Sequence, residues 1–296
     1  MRNLLVPTDF TEYADYALEV AVAIAKKTNA KIYLITVVEQ THRTLDNKEE
    51  GIDLATIPML KEVDKKLKEC VKKYKHQNFE ALQVYKMESI YSTIIKYAED
   101  YESELIVLGA YGHSGAQESF IGSNAEKVMR SSYIPVLTVK HRYENFNPTN
   151  IVFASLFLNE AERVFPKLKL FSDLYGARLH LLRVITPQFF ERTPIVIALM
   201  NKFAAFFKLD NFSSNLYADY SIEGGIINFS NDVDADIIAI TTHEKRRLTY
   251  LVNGNIRDKV INESAKAILS FKVKDLLEEL SEEFKENYAD YYYGTV

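Results

Sequence analysis

Two clusters of residues have the types and spacing to hold a small anionic ligand. Gly109 and Gly112 follow the apolar run Leu105-Ile106-Val107-Leu108, and nine residues further on Gly122, Ser123 and Asn124 open the segment AEKVMRSS, which reads as a helix. Glycine lets a main chain approach a ligand closely or take positive φ, and a helix N-terminus offers unpaired N–H groups and a partial positive charge. The pattern G-x-x-G-x9-G-S between a strand and a helix therefore describes an anion cradle, where the bland alternative is a plain turn. In the second cluster, Pro7, Thr8 and Asp9 end the run Leu4-Leu5-Val6. Asp9 is suited to accept hydrogen bonds from an exocyclic amine or a ribose hydroxyl, or to cap the helix that follows; the two roles are compatible.

Catalytic chemistry is harder to assemble from the same stretch. His113 and Ser114 are adjacent on an irregular segment with no third orienting group, so they do not make a nucleophile and base. No G-K-S/T lysine follows the glycines, and neither Arg nor Lys occurs from Gly109 through Glu126, although efficient phosphoryl transfer normally needs such charge. Neither an H-x-G-H signature nor an S-G-G-x-D-S loop occurs, which disfavours a nucleotidyl transferase or ATP pyrophosphatase. The run from Thr241 to Arg247 (TTHEKRR) could bind another anion, but reads better as solvated loop. His243 and Glu244 lack a second metal-type pair, so metal binding by the protein alone is not expected.

The elements that would position these groups alternate. Short apolar runs suited to buried parallel strands lie at Asn3 to Val6, Lys31 to Val38, Leu82 to Lys86, Glu104 to Leu108 and Val136 to Lys140. Helical periodicity fills Thr11 to Lys27, Met59 to His76, Ser89 to Tyr101 and Ser123 to Ser132, with Thr11, Ser89 and Ser123 as caps. This order predicts an α/β fold, a doubly wound parallel sheet with ligands at the carboxyl ends of its strands. Asp9, the pair Val37 and Val38, and the segment Gly109 to Gly112 converge at that edge.

The chain also repeats itself. Asn3 to Glu39 aligns without a gap on Asn150 to Thr186, and Ser103 to Lys140 aligns on Ala235 to Lys272. Two tandem units are expected, at 1–141 and 150–274, followed by a C-terminal acidic helix and tail at 275–296. The second unit has lost the chemistry: Leu156 stands for Asp9, Ala154 for Pro7, Thr241 for Gly109, Glu244 for Gly112 and Asn255 for Ser123, while Gly254 keeps the place of Gly122. Leucine cannot hydrogen-bond a nucleoside, and a glutamate repels polyphosphate.

The glycine loop resembles the ATP-binding motif of the universal stress protein family, and Leu4-Leu5-Val6-Pro7-Thr8-Asp9 resembles that family's first strand with its nucleoside-facing aspartate. The resemblance covers most of the chain, strongly in the first copy and more weakly in the second. It implies an adenine-nucleotide α-hydrolase-like fold and an ATP site, with or without Mg²⁺ or Mn²⁺, formed by Pro7, Thr8, Asp9, Val37, Val38, Gly109, Ala110, Gly112, His113, Gly122, Ser123 and Asn124. Glu118 departs from the pattern, because many relatives carry basic residues there. In this family the last strand pairs with its mate across a dimer, which implies that Ile134 to Val139 and Ala267 to Phe271 pair within this chain as a pseudo-dimer. The function implied is an ATP-binding regulator of the stress response; the alternatives are a ligand-free adaptor of the same fold or a slow ATP hydrolase. A homodimer or an unidentified protein is the remaining partner expectation.

Composition narrows the partners. The 296 residues carry a formal net charge of −5 with interspersed signs, which argues against nucleic acid. The single Cys70 excludes an internal disulfide framework and suits a reducing cytoplasm. The first apolar run is too short for a signal peptide, and Thr193 to Phe207 is too short and too interrupted to cross a bilayer, so no membrane role is expected. Leu276, Leu277, Leu280 and Phe284 mark one face of the acidic C-terminal helix.

Overall fold

A computed structural model describes residues 1–38, 58–74, 78–85, 89–112, 121–157, 159–188, 190–243 and 254–273. In the first half, β1 (Asn3–Pro7), α1 (Glu12–Thr28), β2 (Lys31–Val38), α2 (Pro58–Lys73), β3 (Phe79–Tyr85), α3 (Ile90–Asp100), β4 (Leu105–Gly109), α4 (Ser123–Ser131) and β5 (Val136–Val139) alternate. The second half repeats the alternation with β6 (Asn150–Ala154), α5 (Asn159–Tyr175), β7 (Arg178–Ile185), α6 (Thr193–Phe206), β8 (Phe212–Ala218), α7 (Ile222–Asp232), β9 (Ile237–His243), α8 (Gly254–Glu263) and β10 (Ala267–Val273).

Among the described residues, ten strands join one sheet in the order β3-β2-β1-β4-β5-β10-β9-β6-β7-β8. Pairing is parallel within each half and antiparallel where β5 meets β10, with Leu137 opposite Leu269. The expected intramolecular pairing is thus present, and it makes one continuous sheet rather than two separate ones. The two inner edges satisfy each other's backbone groups, which removes edges open to aggregation.

Strand alternation sends successive side chains to opposite faces, and each face is covered by helices. On one face, Leu4, Leu34, Val107, Phe153 and Leu181 pack with α1, α2, α5 and α6; on the other, Leu5, Ile35, Ile106, Val152 and Ile238 pack with α3, α4, α7 and α8. The apolar segment Thr193 to Phe206 accordingly lies on the sheet, burying Val196, Met200, Phe203 and Ala204. Among the described residues no helix is long and apolar enough to cross a membrane.

The repeat recurs in backbone detail. Phe10 and its counterpart Phe157 both take left-handed φ, at 62° and 59°, as do Asn29 and Gly176 at 56° and 64°, and Glu102 and Asp234 at 47° each. The same N–H donations recur: Glu104 to Asn3 O and Asp236 to Asn150 O, both at 2.9 Å. Such strained positions persist only where surrounding structure dictates them, so their pairing reports a shared chain path. The capping expectations hold for Thr11, whose hydroxyl accepts from Ala14 N, and for Ser89, which forms a reciprocal box with Ser92. Ser123 does not cap. Gly122 is the N-cap of α4, with φ −59° and ψ 139°, and it brings no capping side chain. The acidic C-terminal segment 275–296 lies outside the described residues.

Candidate functional site

At the carboxyl ends of β1, β2 and β4 a cavity of about 330 Å³ opens between α1, α3 and α4. That is the lower end of the range for small-molecule pockets. Its wall takes Pro7, Thr8 and Asp9 from the end of β1, Val37 from β2, Gly109, Ala110 and Gly112 from the end of β4, and Gly122, Ser123 and Asn124 from the start of α4. Those residues, separated by more than a hundred positions, were the expected site. Val38 is buried on the opposite side of β2 from Val37 and does not line the cavity, because adjacent strand residues point to opposite faces. His113, together with Ser114 and Glu118, falls in 113–120 and lies outside the described residues.

Each wall segment is held by main-chain bonds that the sequence does not advertise. Thr8 N donates to Ile35 O at 2.8 Å, fixing the end of β1 on β2, and the Thr8 hydroxyl accepts from Phe10 N at 3.0 Å. Asp9 Oδ1 accepts from both the main-chain N and the hydroxyl of Thr11, at 3.1 and 2.6 Å. Asp9 therefore supports the capping residue instead of capping α1 itself. Ala110 N donates to Val139 O at 2.9 Å while Ala110 O accepts from Gly122 N at 2.8 Å, which draws the start of α4 against the end of β4.

The glycines act through proximity. None of Gly109, Gly112 and Gly122 takes positive φ. A Cβ on Gly109 would sit 2.6 Å from the carbonyl carbon of Tyr13, so this glycine lets β4 pass close under the start of α1. A Cβ on Gly112 would come within 2.9 Å of Asp9 Oδ2, which places the second glycine of the motif directly beside the carboxylate.

Residues outside the expected set complete the cavity. Ile90 and Ile94 supply an apolar wall from the first turns of α3, and Ile35, Tyr111 and Val128 add to it. The signal for the isoleucines was present: a capping serine at 89 sets the helix start, and residues four apart share a face. What the periodicity lacks is the information that this face looks toward the glycines. Chemically, the site combines flat apolar walls, one carboxylate among its described lining residues, and a helix N-terminus without a side-chain cap. Such a set suits a planar apolar ring linked to an anion.

The corresponding turn of the second half is built differently. Phe157 N bonds to the Ser155 hydroxyl at 3.1 Å, as Phe10 does to Thr8, but Phe157 is buried edge-on against Phe153 and Phe203. Thr36 is replaced by Arg183, which is buried and forms a two-pronged pair with Glu191 at 2.6 and 2.7 Å. Leu156 and a buried ion pair thus stand where the first half has Asp9 and Thr36, beside a Phe157 packed among aromatic rings.

Residues 1–140 match the universal stress protein family model. The universal stress protein MJ0531 of Methanocaldococcus jannaschii is 29% identical over 140 residues, covering 47% of this chain and 82% of the relative, and MJ0577 of the same organism is 26% identical over 155 residues, covering 48% and 96%. A universal stress protein solved in complex with cAMP is 24% identical with a TM-score of 0.37, over 48% of this chain and 98% of its own. The fold is shared with a universal stress protein of Archaeoglobus fulgidus, at a TM-score of 0.69 and 18% identity, over 92% of this chain and 97% of that one. Residues 1–140, just under half of the chain, are thus similar to the universal stress protein family.

Proposed function

We propose that the chain is an ATP-binding regulatory protein of the stress response, composed of domains at 1–141 and 150–274, of which only the first holds an adenine nucleotide. The observation that carries the reading is the meeting, in one cavity, of Pro7 to Asp9 with both glycine segments. In this reading the base lies between Val37 and the isoleucines of α3, Asp9 accepts from the nucleoside, and Gly112, Gly122 and Ser123 face the phosphates. A divalent ion, Mg²⁺ or Mn²⁺, arrives on the phosphates, since the described lining offers one carboxylate. The second domain is degenerate: Leu156 and the Phe157 cluster provide nothing for a ribose or an amine.

A second reading, an adaptor of the same fold that holds no ligand, draws on Gly109. Its missing Cβ is required by the approach of β4 to Tyr13 whether or not a nucleotide is bound. One experiment separates the two. Nucleotide released from denatured, purified full-length protein is identified by mass spectrometry, and the emptied protein is titrated with ATP by calorimetry. One adenine nucleotide per chain supports the regulator; protein that is empty and fails to bind ATP supports the adaptor; two per chain would refute the asymmetry between the domains.

A further inference from the structure

The cradle of the first half is held from the second half. Ile121, which precedes the N-cap Gly122, donates its main-chain N–H to Asn262 Oδ1 at 2.8 Å. Asn262 lies in the last turn of α8. The same helix end receives Lys140, whose Nζ donates to Asn262 O at 3.2 Å and to Ser264 O at 2.5 Å. Lys272, which occupies the matching place at β10, donates in return to Ser131 O at the end of α4, at 3.3 Å. Each half therefore sets a lysine on the final helix of the other, where free carbonyls and the negative end of the helix favour a cation.

The lysine contacts are reciprocal, but the amide contact is not. By the internal repeat, the counterpart of Asn262 is Arg130. An arginine side chain has donors and no acceptor, so it cannot receive a main-chain N–H from the other half. The half with the intact glycine motif is the one whose loop is gripped by a side-chain acceptor from its neighbour. Ile121 N and Gly122 N are consecutive main-chain donors with different tasks: the first is tied to Asn262 and the second to Ala110 O. Between them they fix where α4 begins, and hence where its first N–H groups point.

We propose that Asn262 is a positioning residue for the nucleotide cradle, through which the second half sets the affinity of the first and responds to its occupancy. This rests on the nucleotide-binding reading above. Coupling between two sites is reciprocal in free energy, so whatever Asn262 contributes to holding ATP, bound ATP must contribute to ordering the end of α8. The second half then has a use that does not need a nucleotide of its own.

The test uses the full chain and ATP itself. Loss of one hydrogen bond to a main-chain amide predicts that Asn262→Ala weakens ATP binding about 3- to 10-fold by calorimetry. Hydrogen exchange in the unliganded protein should quicken at the Ile121 amide, and Asn262→Asp, which keeps an acceptor, should restore its protection. Saturating ATP should slow exchange over Lys259 to Ser264 in the wild type and not in Asn262→Ala, a response that a merely structural role would not produce. Equal ATP affinity of wild type and Asn262→Ala overturns the proposal, as does an α8 terminus indifferent to ATP in the wild type. A wild type that binds no ATP overturns the nucleotide reading and this proposal with it; a wild type that binds while Asn262→Ala changes nothing overturns the proposal alone.

Discussion

Gly109→Ala introduces a methyl group where β4 runs closest to α1. An ideal Cβ there lies 2.6 Å from the Tyr13 carbonyl carbon, 2.7 Å from its oxygen and 2.9 Å from Ala14 N. Carbon atoms in contact prefer about 3.5–4.0 Å, so the two segments must part by roughly 1 Å. All three obstructing atoms belong to the main chain, and no side-chain rotation relieves the overlap. Helix α1 cannot retreat freely either, because Ala17, Leu18, Val20, Ala21 and Ile24 are buried against the sheet. Overpacking costs about 1–3 kcal/mol, and rigid neighbours put this position near 3 kcal/mol. Urea denaturation followed by circular dichroism reads the loss as a lower midpoint at unchanged slope. Gly122→Ala is the control: its Cβ would lie 3.5 Å from Ala110 O and 3.6 Å from Gly112 N, ordinary contacts, so its midpoint should move by less than about 1 kcal/mol. Equal midpoints for wild type and Gly109→Ala would refute the argument that close packing, rather than a ligand, demands this glycine.

Gly122→Val should abolish ATP binding in calorimetry while leaving the denaturation midpoint near that of the wild type, since its branches extend into the cradle; unchanged affinity would show that the anion site is elsewhere. Ser123→Ala should cost about 1 kcal/mol of binding, the worth of one hydrogen bond. Turnover of ATP by the purified protein should stay below about 1 s⁻¹, and faster turnover that Gly122→Val removes would mean an enzyme. Burial pushes the Lys140 ammonium down to about 8 from its ordinary 10.5, so between those pH values the unfolded chain carries more protons than the folded one. Wild-type stability relative to Lys140→Met should therefore rise across that window, by roughly 1–3 kcal/mol, and a flat difference would contradict the burial.

Sequence alone determined the alternation of strands and helices, the internal repeat, and the spacing of the glycine motif, because all three are written in local patterns: apolar runs, capping residues and small residues at fixed intervals. It also marked the asymmetry of the halves, since Leu156 in place of Asp9 changes hydrogen-bonding capacity whatever the fold. Boundaries slipped where two residues competed for one role. Ser123 is a strong capping type, yet Gly122 takes the cap because its N–H is held by Ala110 O, a bond between distant segments. Val38 passed as a site residue because an all-apolar strand hides which side chains share a face; only packing against helices on both sides assigns Val37 to the cavity and Val38 away from it. The tertiary structure decided three further matters: that ten strands make one sheet through β5 and β10, that Ile90 and Ile94 wall the cavity, and that Asn262 reaches Ile121 across the seam. Each depends on contacts between residues far apart in the chain, which closing the sheet brings together and which no local pattern encodes.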